Sequence, residues 1–236
     1  MAAFEFGPAE RAVDLIFLHA NGFNALTYRA ILAPLAARRR ILAIDQRGHG
    51  GTTLAAHAAG RANWHDFRDD LLALLAVLGI EGVVLAGHSM GGTASLLAAA
   101  EAPERIARLV LLEPVILPPG PPMAAGEASV LHASLIERAQ RRRRVFPDRA
   151  AALDGYLGRG AFASWPAGMV ADFVAGGFRD LPGGGWGWPA IRPGRRPATP
   201  RTATIRGTPS AGLPARFVSC EPSMAPPAGW TATSTN

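Results

Sequence analysis

The chain has 236 residues, of which 49% are hydrophobic and 18% are charged, a composition typical of a globular protein with one sizeable core. No apolar run approaches the roughly 18 residues that a membrane span needs, and no basic segment followed by an apolar one opens the chain. A single cysteine, Cys220, rules out an internal disulfide. We therefore expect a cytoplasmic protein without a secretory signal.

The net charge of +6 and the isoelectric point near 11.0 would suit a nucleic-acid-binding protein. Residues 183–236, however, contain six arginines and one acidic residue, so the rest of the chain is almost neutral. Nucleic-acid binding needs a basic stripe on a folded surface, and a basic terminal segment does not provide one. We expect a small-molecule substrate and no nucleic-acid or membrane partner, and the oligomeric state stays open.

Short, continuously apolar segments alternate with segments of helical periodicity along the first part of the chain. The predicted strands lie at 13–18, 41–45, 82–86 and 107–112, and the predicted helices lie at about 25–38, 66–78 and 91–101. Continuous apolar runs are typical of strands buried on both faces, as in a parallel sheet. The alternation predicts an α/β fold with a doubly wound, mostly parallel sheet over residues 1–113.

The pattern changes after Glu113. A segment rich in proline and glycine follows, and helical pieces are then predicted near 127–145, 148–158 and 167–176, with no clear strand between them. We interpret residues 114–182 as a helical cap inserted over the sheet, which covers the site and sets its specificity.

The segment Gly87-His88-Ser89-Met90-Gly91 matches the pattern Gly-x-Ser-x-Gly. A predicted strand precedes it and a predicted helix follows it, which is the setting that this pattern requires. There the chain makes a sharp turn that exposes the serine hydroxyl, and the two glycines leave room for neighbouring elements. The start of the following helix also stabilises negative charge. Ser89 is therefore the candidate nucleophile.

With this motif and two others, the chain resembles the α/β-hydrolase family. The sequence HANGF at 19–23 is similar to the family's oxyanion loop, with Ala20 where glycine is usual, and DQRGHG at 45–50 is similar to the loop after the next strand. The resemblance implies an α/β-hydrolase fold in which the backbone N–H groups of Asn21 and Met90 bind the oxyanion. A serine at the elbow argues against haloalkane dehalogenases and epoxide hydrolases, which have aspartate there.

A serine nucleophile needs a base, and the base needs an orienting acid. In the family the acid follows the serine and the histidine comes last. Glu113 matches an acid position used in part of the family, and the alternative is a strand-end carboxylate without a catalytic role; Asp172 and Asp180 are weaker candidates. Only His132 follows the candidate nucleophile, and it lies in the predicted cap, from which the family's base does not come. We therefore expect the triad histidine to be missing.

Residues 183–236 depart from the family pattern. They contain nine prolines, six arginines and no convincing strand, so we expect the last strands of the sheet to be missing. A natural disordered tail, a truncated pseudoenzyme and a shifted reading frame can each produce such a segment. Read one base earlier, the codons of Phe217, Cys220 and, with a TCN codon, Ser219 give apolar residues. We therefore expect a frameshift near residues 183–186.

These observations predict a serine hydrolase of small carboxylic esters or related acyl compounds, with activity impaired by the missing histidine. One alternative is a hydrolase-like protein that binds a ligand without turning it over. Another is a chain that folds poorly, because an incomplete sheet exposes a strand edge and apolar helix faces. No metal or organic cofactor is implied, since no spacing of histidine, cysteine and carboxylate residues suits zinc.

Overall fold

The computed structural model describes residues 1–54, 56, 64–116, 143, 145–188 and 217–218. His132, Cys220 and most of the predicted helix at 127–145 lie outside these residues, as does most of the segment 183–236. The expectations for them, including the frameshift, therefore stay predictions.

A mostly parallel sheet forms the centre of the protein. The strands are β1 (Ala2–Phe6), β2 (Leu15–Leu18), β3 (Ile41–Asp45), β4 (Val83–His88), β5 (Ile106–Leu112), β6 (Val145–Phe146), β7 (Arg179–Asp180), β8 (Trp186–Gly187) and β9 (Phe217–Val218). Six of them form one sheet in the order β5-β4-β2-β3-β1-β9. The strands β2 to β5 are parallel to one another, while β1 is antiparallel to β3. The predicted α/β fold is confirmed.

The four long predicted strands lie within two residues of their observed bounds, because their side chains fill the core. Every residue of β2 and β3 is buried. β5 differs because it is the outermost strand at one end of the described sheet, and its side chains Val110 and Leu112 are exposed. β1 was not predicted, because Glu5 interrupts its apolar run and the strand is only partly buried.

Three helices pack on this sheet. They are α1 (Arg29–Leu32), α2 (His65–Leu78) and α3 (Met90–Glu101). The helical stretch predicted at about 25–38 is present, but a break divides it, since 3-10 turns at Ala25–Tyr28 and Ala33–Ala37 flank a short α1. Pro34 explains the break, because proline has no backbone N–H for the interior of a helix. α2 buries its predicted apolar stripe in the core. None of the described helices is long and apolar enough to cross a membrane.

Residues 145–188 form a separate layer, called the aromatic unit below. It contains α4 (Arg149–Tyr156), α5 (Ala167–Gly177) and the antiparallel sheet β6-β8-β7. The two helices confirm the helical pieces predicted at 148–158 and 167–176. The strands contradict the expectation that this region and the following segment contain none, because a two-residue strand is too short to show an alternating pattern.

Polar side chains join the aromatic unit to α1 and to the loop before it. Buried Asn24 accepts the Thr27 N–H at 3.1 Å, and its amide group donates to the Phe173 carbonyl of α5 at 2.8 Å. Arg29 of α1 also pairs with Asp172 of α5, with 2.5 Å between nitrogen and oxygen. The aromatic unit is thereby held over the carboxyl ends of the central strands.

Candidate active site

Ser89 occupies the sharp turn between β4 and α3. Its backbone angles, φ 51° and ψ −117°, lie where a residue with a side chain is rarely found. Its N–H donates to the Leu112 carbonyl at 2.9 Å, so the turn is tied to the end of β5. Gly91 approaches β2 so closely that a Cβ there would lie 2.3 Å from the Leu18 carbonyl oxygen. The strand, turn and helix that Gly-x-Ser-x-Gly requires are therefore all present.

Glu113 follows β5 directly, and its backbone is also strained, with φ 46°. Within the part of the chain that the structure describes, Ser89 and Glu113 are the only non-glycine residues with positive φ. Strain of this kind costs on the order of 1–3 kcal/mol and is concentrated at functional sites. The side chain of Glu113 is 93% exposed, so its carboxylate is open to a partner. Glu113 therefore stays our candidate for the orienting acid.

His88 lies between Tyr28 and Glu113. Its Nδ1 is 2.7 Å from the Tyr28 hydroxyl, and its Nε2 is 3.9 Å from the Glu113 carboxylate. Burial raises the pKa of Tyr28, so the hydroxyl keeps its proton, and it already accepts the Ala20 N–H at 3.1 Å. The hydroxyl therefore donates to Nδ1, and the His88 proton on Nε2 faces Glu113. This arrangement leaves neither nitrogen as a base for Ser89.

His19 fixes the start of the loop that follows β2. Its buried ring accepts the Gln46 N–H at Nε2 (3.0 Å) and donates from Nδ1 to the Ala20 carbonyl (2.8 Å). The side-chain amide of Gln46 donates in turn to the His19 carbonyl at 2.6 Å. Burial lowers the pKa of His19 to about 4, which keeps the ring neutral. His19 thus joins the ends of β2 and β3 and takes no part in proton transfer.

The two candidate oxyanion donors lie at the same edge of the sheet. Asn21 follows β2, and Met90 begins α3 directly after the turn that ends β4. β2 and β4 are hydrogen-bonded neighbours, with Leu18 opposite Gly87. Met90 is buried and Asn21 is exposed. The donors therefore come from adjacent strand ends, as an oxyanion hole beside the serine requires.

Aromatic side chains around Phe23, called the aromatic wall below, line this edge of the sheet. The ring of Phe23 is stacked with Trp165 at 5.3 Å and with His88 at 6.5 Å. Phe162 and Phe173 of the aromatic unit meet Phe23 edge-on at 6.0 and 5.8 Å. Apolar walls with a few polar groups are typical of small-molecule sites.

The rings of His19 and His88 are engaged by other partners, and His57 and His132 lie outside the described residues. Asp172 is paired with Arg29, and Asp180 lies exposed in β7, so neither weaker acid candidate is joined to the serine. Across residues 1–54, 64–116 and 145–188 no cluster of three histidine, cysteine or acidic side chains could hold a metal ion. The described site thus contains a candidate nucleophile, two candidate N–H donors and a candidate acid.

Comparison with protein families matches residues 15–148, more than half of the chain, to the α/β-hydrolase fold. The chain belongs to this family. The matched region contains all three motifs, so the resemblance that they indicated is confirmed. The sheet order and the turn at Ser89 are accordingly those of an α/β-hydrolase.

Two curated relatives of this α/β-hydrolase match about half of it. The dihydrolipoyllysine-residue acetyltransferase component of an acetoin cleaving system from Pseudomonas putida is 39% identical over 109 residues. An sn-1-specific diacylglycerol lipase from Mus musculus is 31% identical over 128 residues. The alignments cover 46% and 52% of this chain but only 28% and 40% of these relatives. This chain therefore spans less than half of either relative.

Two solved structures match a larger part of this chain than the curated relatives do. A hypothetical protein from Pseudomonas aeruginosa PAO1 is 32% identical and superposes with a TM-score of 0.59 over 78% of this chain and 63% of its own. An E-2-(acetamidomethylene)succinate hydrolase is 25% identical, with a TM-score of 0.61 over 79% of this chain and 63% of its own. Both superpositions support a hydrolase of the α/β class and leave more than a third of each neighbour unmatched.

Two contacts of the site were not predicted from the sequence. The first joins Tyr28 to His88, which are 60 positions apart, and no local pattern announces it. The second joins His49 to Gly22, whose N–H is 3.1 Å from the imidazole Nε2. Here the sequence held a signal, because both residues belong to motifs that mark the family.

Proposed function

We propose that this α/β-hydrolase cleaves small carboxylic esters or related acyl compounds through an acyl-enzyme on Ser89. The observation that carries the proposal is the strained turn at Ser89, with φ 51°, tied by its N–H to Leu112. A serine in such a turn presents its hydroxyl above the carboxyl ends of the strands. Relatives named as a diacylglycerol lipase and a 2-(acetamidomethylene)succinate hydrolase support chemistry at an acyl carbon.

In the proposed reaction the Ser89 oxygen attacks the acyl carbon while its proton passes to a base, and the carbonyl oxygen becomes an oxyanion. The N–H groups of Asn21 and Met90 stabilise this oxyanion, and one such donor is typically worth about 2.7–4 kcal/mol. The leaving alcohol takes the proton from the base. Water then attacks the acyl-enzyme, releases the acid and restores the serine. Glu113 would orient this base, which the segment 183–236 does not supply.

The missing histidine base limits turnover in this chain. The segment 183–236, where the family order places the base, contains no histidine. An elbow and oxyanion hole without a complete triad retain on the order of 10³–10⁴-fold catalysis over water. We therefore propose slow acyl chemistry that depends on Ser89.

The lack of a histidine in the segment 183–236 favours a second candidate function, in which the protein binds an acyl compound without turning it over. The aromatic wall around Phe23 and the N–H donors are sufficient for binding. Only the reactivity of Ser89 separates the two functions, and a serine-directed phosphonate reports on it.

The protein incubated with an alkyl fluorophosphonate is expected to gain the mass of one phosphonyl group, and Ser89→Ala is expected to gain none. Ser164→Ala, at an exposed serine of the aromatic unit, is the matched control and should be labelled like the unaltered protein. Peptide mass spectrometry then locates the adduct. Equal labelling of Ser89→Ala contradicts the proposal, and no label on either protein favours the ligand-binding function.

A further inference from the structure

The turn that contains Asn21 runs from Ala20 to Phe23. The Phe23 N–H donates to the Ala20 carbonyl at 3.1 Å, and Gly22, with φ 75°, occupies the third position of this β-turn. A positive φ at the third position is characteristic of a type II turn and favours glycine there. Asn21 lies between two peptide groups of this turn: the one before it contains its own N–H, and the one after it contains the Gly22 N–H.

Each of these peptide groups is hydrogen-bonded to a histidine ring. The carbonyl of Ala20 accepts from Nδ1 of His19, and because the peptide is trans, the Asn21 N–H points the opposite way. The Gly22 N–H on the other side of Asn21 donates to Nε2 of His49 at 3.1 Å. Rotation of either peptide group would break its bond to the ring.

The bonds of His49 fix its tautomer. A backbone N–H can only donate, so Nε2 carries no proton, and Nδ1, 2.9 Å from the Arg47 carbonyl, carries the ring proton. The Asn21 side-chain oxygen, 3.3 Å from Nε2, is also an acceptor, so this tautomer favours the amide turned with its NH2 group towards the ring. The ring of His19, 4.9 Å away, has the same tautomer for the same reason.

We propose that His49 is a positioning residue of the oxyanion hole, which fixes the peptide group after Asn21 by accepting the Gly22 N–H. His19 fixes the peptide group before Asn21 by donating from Nδ1 to the Ala20 carbonyl. The inference rests on the proposed use of the Asn21 N–H as an oxyanion donor. In this proposal His49 acts through the turn, by its hydrogen bond to the Gly22 N–H.

Two variants of similar polarity separate the acceptor from the rest of the ring. In His49→Gln the amide oxygen reaches about as far as Nε2 and can accept the Gly22 N–H. In His49→Asn the oxygen ends near the position of Nδ1 and cannot reach Gly22. Both variants leave Ser89, Asn21 and Met90 unchanged.

Hydrogen exchange of the Gly22 amide, measured by NMR, is expected to be about tenfold faster in His49→Asn and close to the unaltered rate in His49→Gln. Nitrogen NMR of the His49 ring should show a protonated Nδ1 and a bare Nε2. Loss of one oxyanion donor typically costs about 10²–10³-fold in rate. We therefore expect fluorophosphonate labelling of fully folded His49→Asn to slow by about tenfold or more, and His49→Gln to restore it.

Unchanged exchange of Gly22 in His49→Asn, or a proton on Nε2, overturns the inference. Equal labelling rates for the two folded variants overturn it as well. If the unaltered protein is not labelled at all, the proposed function fails, while exchange and ring-nitrogen data still decide whether His49 holds the turn.

Discussion

Replacement of Gly91 with alanine is expected to destabilise the folded protein by about 3 kcal/mol or more. The added Cβ would lie 2.3 Å from the Leu18 carbonyl oxygen and 2.7 Å from that of His19. Both oxygens belong to buried backbone at the end of β2, which lies between β3 and β4, so relief requires moving α3 off the sheet. Folded proteins are stable by only about 5–15 kcal/mol, so this loss removes much of the margin.

Gly183→Ala is the matched control, because a Cβ there meets no atom within 4 Å and needs no unusual backbone conformation. Urea unfolding followed by circular dichroism compares the three proteins. We expect Gly183→Ala to keep the unaltered midpoint and Gly91→Ala to unfold at far lower urea or to lack a folded baseline. An unaltered midpoint for Gly91→Ala would contradict the close approach of α3 to β2.

Acidification is expected to destabilise the fold through His19. The pKa of His19 is about 4 in the folded protein against 6.5 in an unfolded chain, because burial disfavours the charged ring. Between these pH values the unfolded chain binds a proton that the folded protein does not, so the free energy of unfolding falls as the pH falls. The loss reaches roughly 3 kcal/mol below the lower value and is absent above the higher one.

The variant His19→Gln isolates this contribution. A glutamine amide oxygen can accept the Gln46 N–H in place of Nε2 and does not titrate. The free energy of unfolding, measured from urea curves between pH 6.5 and pH 4, should therefore depend less on pH in the variant than in the unaltered protein. Parallel pH profiles for the two proteins would show that His19 is not the buried neutral group.

The elements that could be predicted from the sequence are those buried on both faces. β2 and β3 are continuous apolar runs, and their bounds were predicted closely. β1 lies beside β3 and is only partly buried, and Glu5 interrupts its pattern. The break in the helix predicted at 25–38 had a local signal in Pro34, whereas the two-residue strands of the aromatic unit had none.

The candidate site shows the same contrast between residues marked by a local pattern and contacts between distant parts of the chain. Ser89 was predictable because its turn requires a local pattern between a strand and a helix. The contact of Tyr28 with His88 and the positive φ of Glu113 depend on how distant strand ends meet, so no sequence pattern reveals them. The frameshift expected near residues 183–186 concerns a segment in which the sequence pattern itself breaks down, and it stays a prediction about the gene.

We propose that Ser89 is a nucleophile without its base, and added imidazole tests this proposal most directly. Free imidazole can act as the general base that a missing histidine would supply, and such a base typically contributes about 10²–10⁴-fold. We expect imidazole to raise the rate of fluorophosphonate labelling of the unaltered protein by about tenfold or more and to leave Ser89→Ala unlabelled. A labelling rate that does not respond to imidazole, or equal acceleration in Ser89→Ala, would contradict the claim.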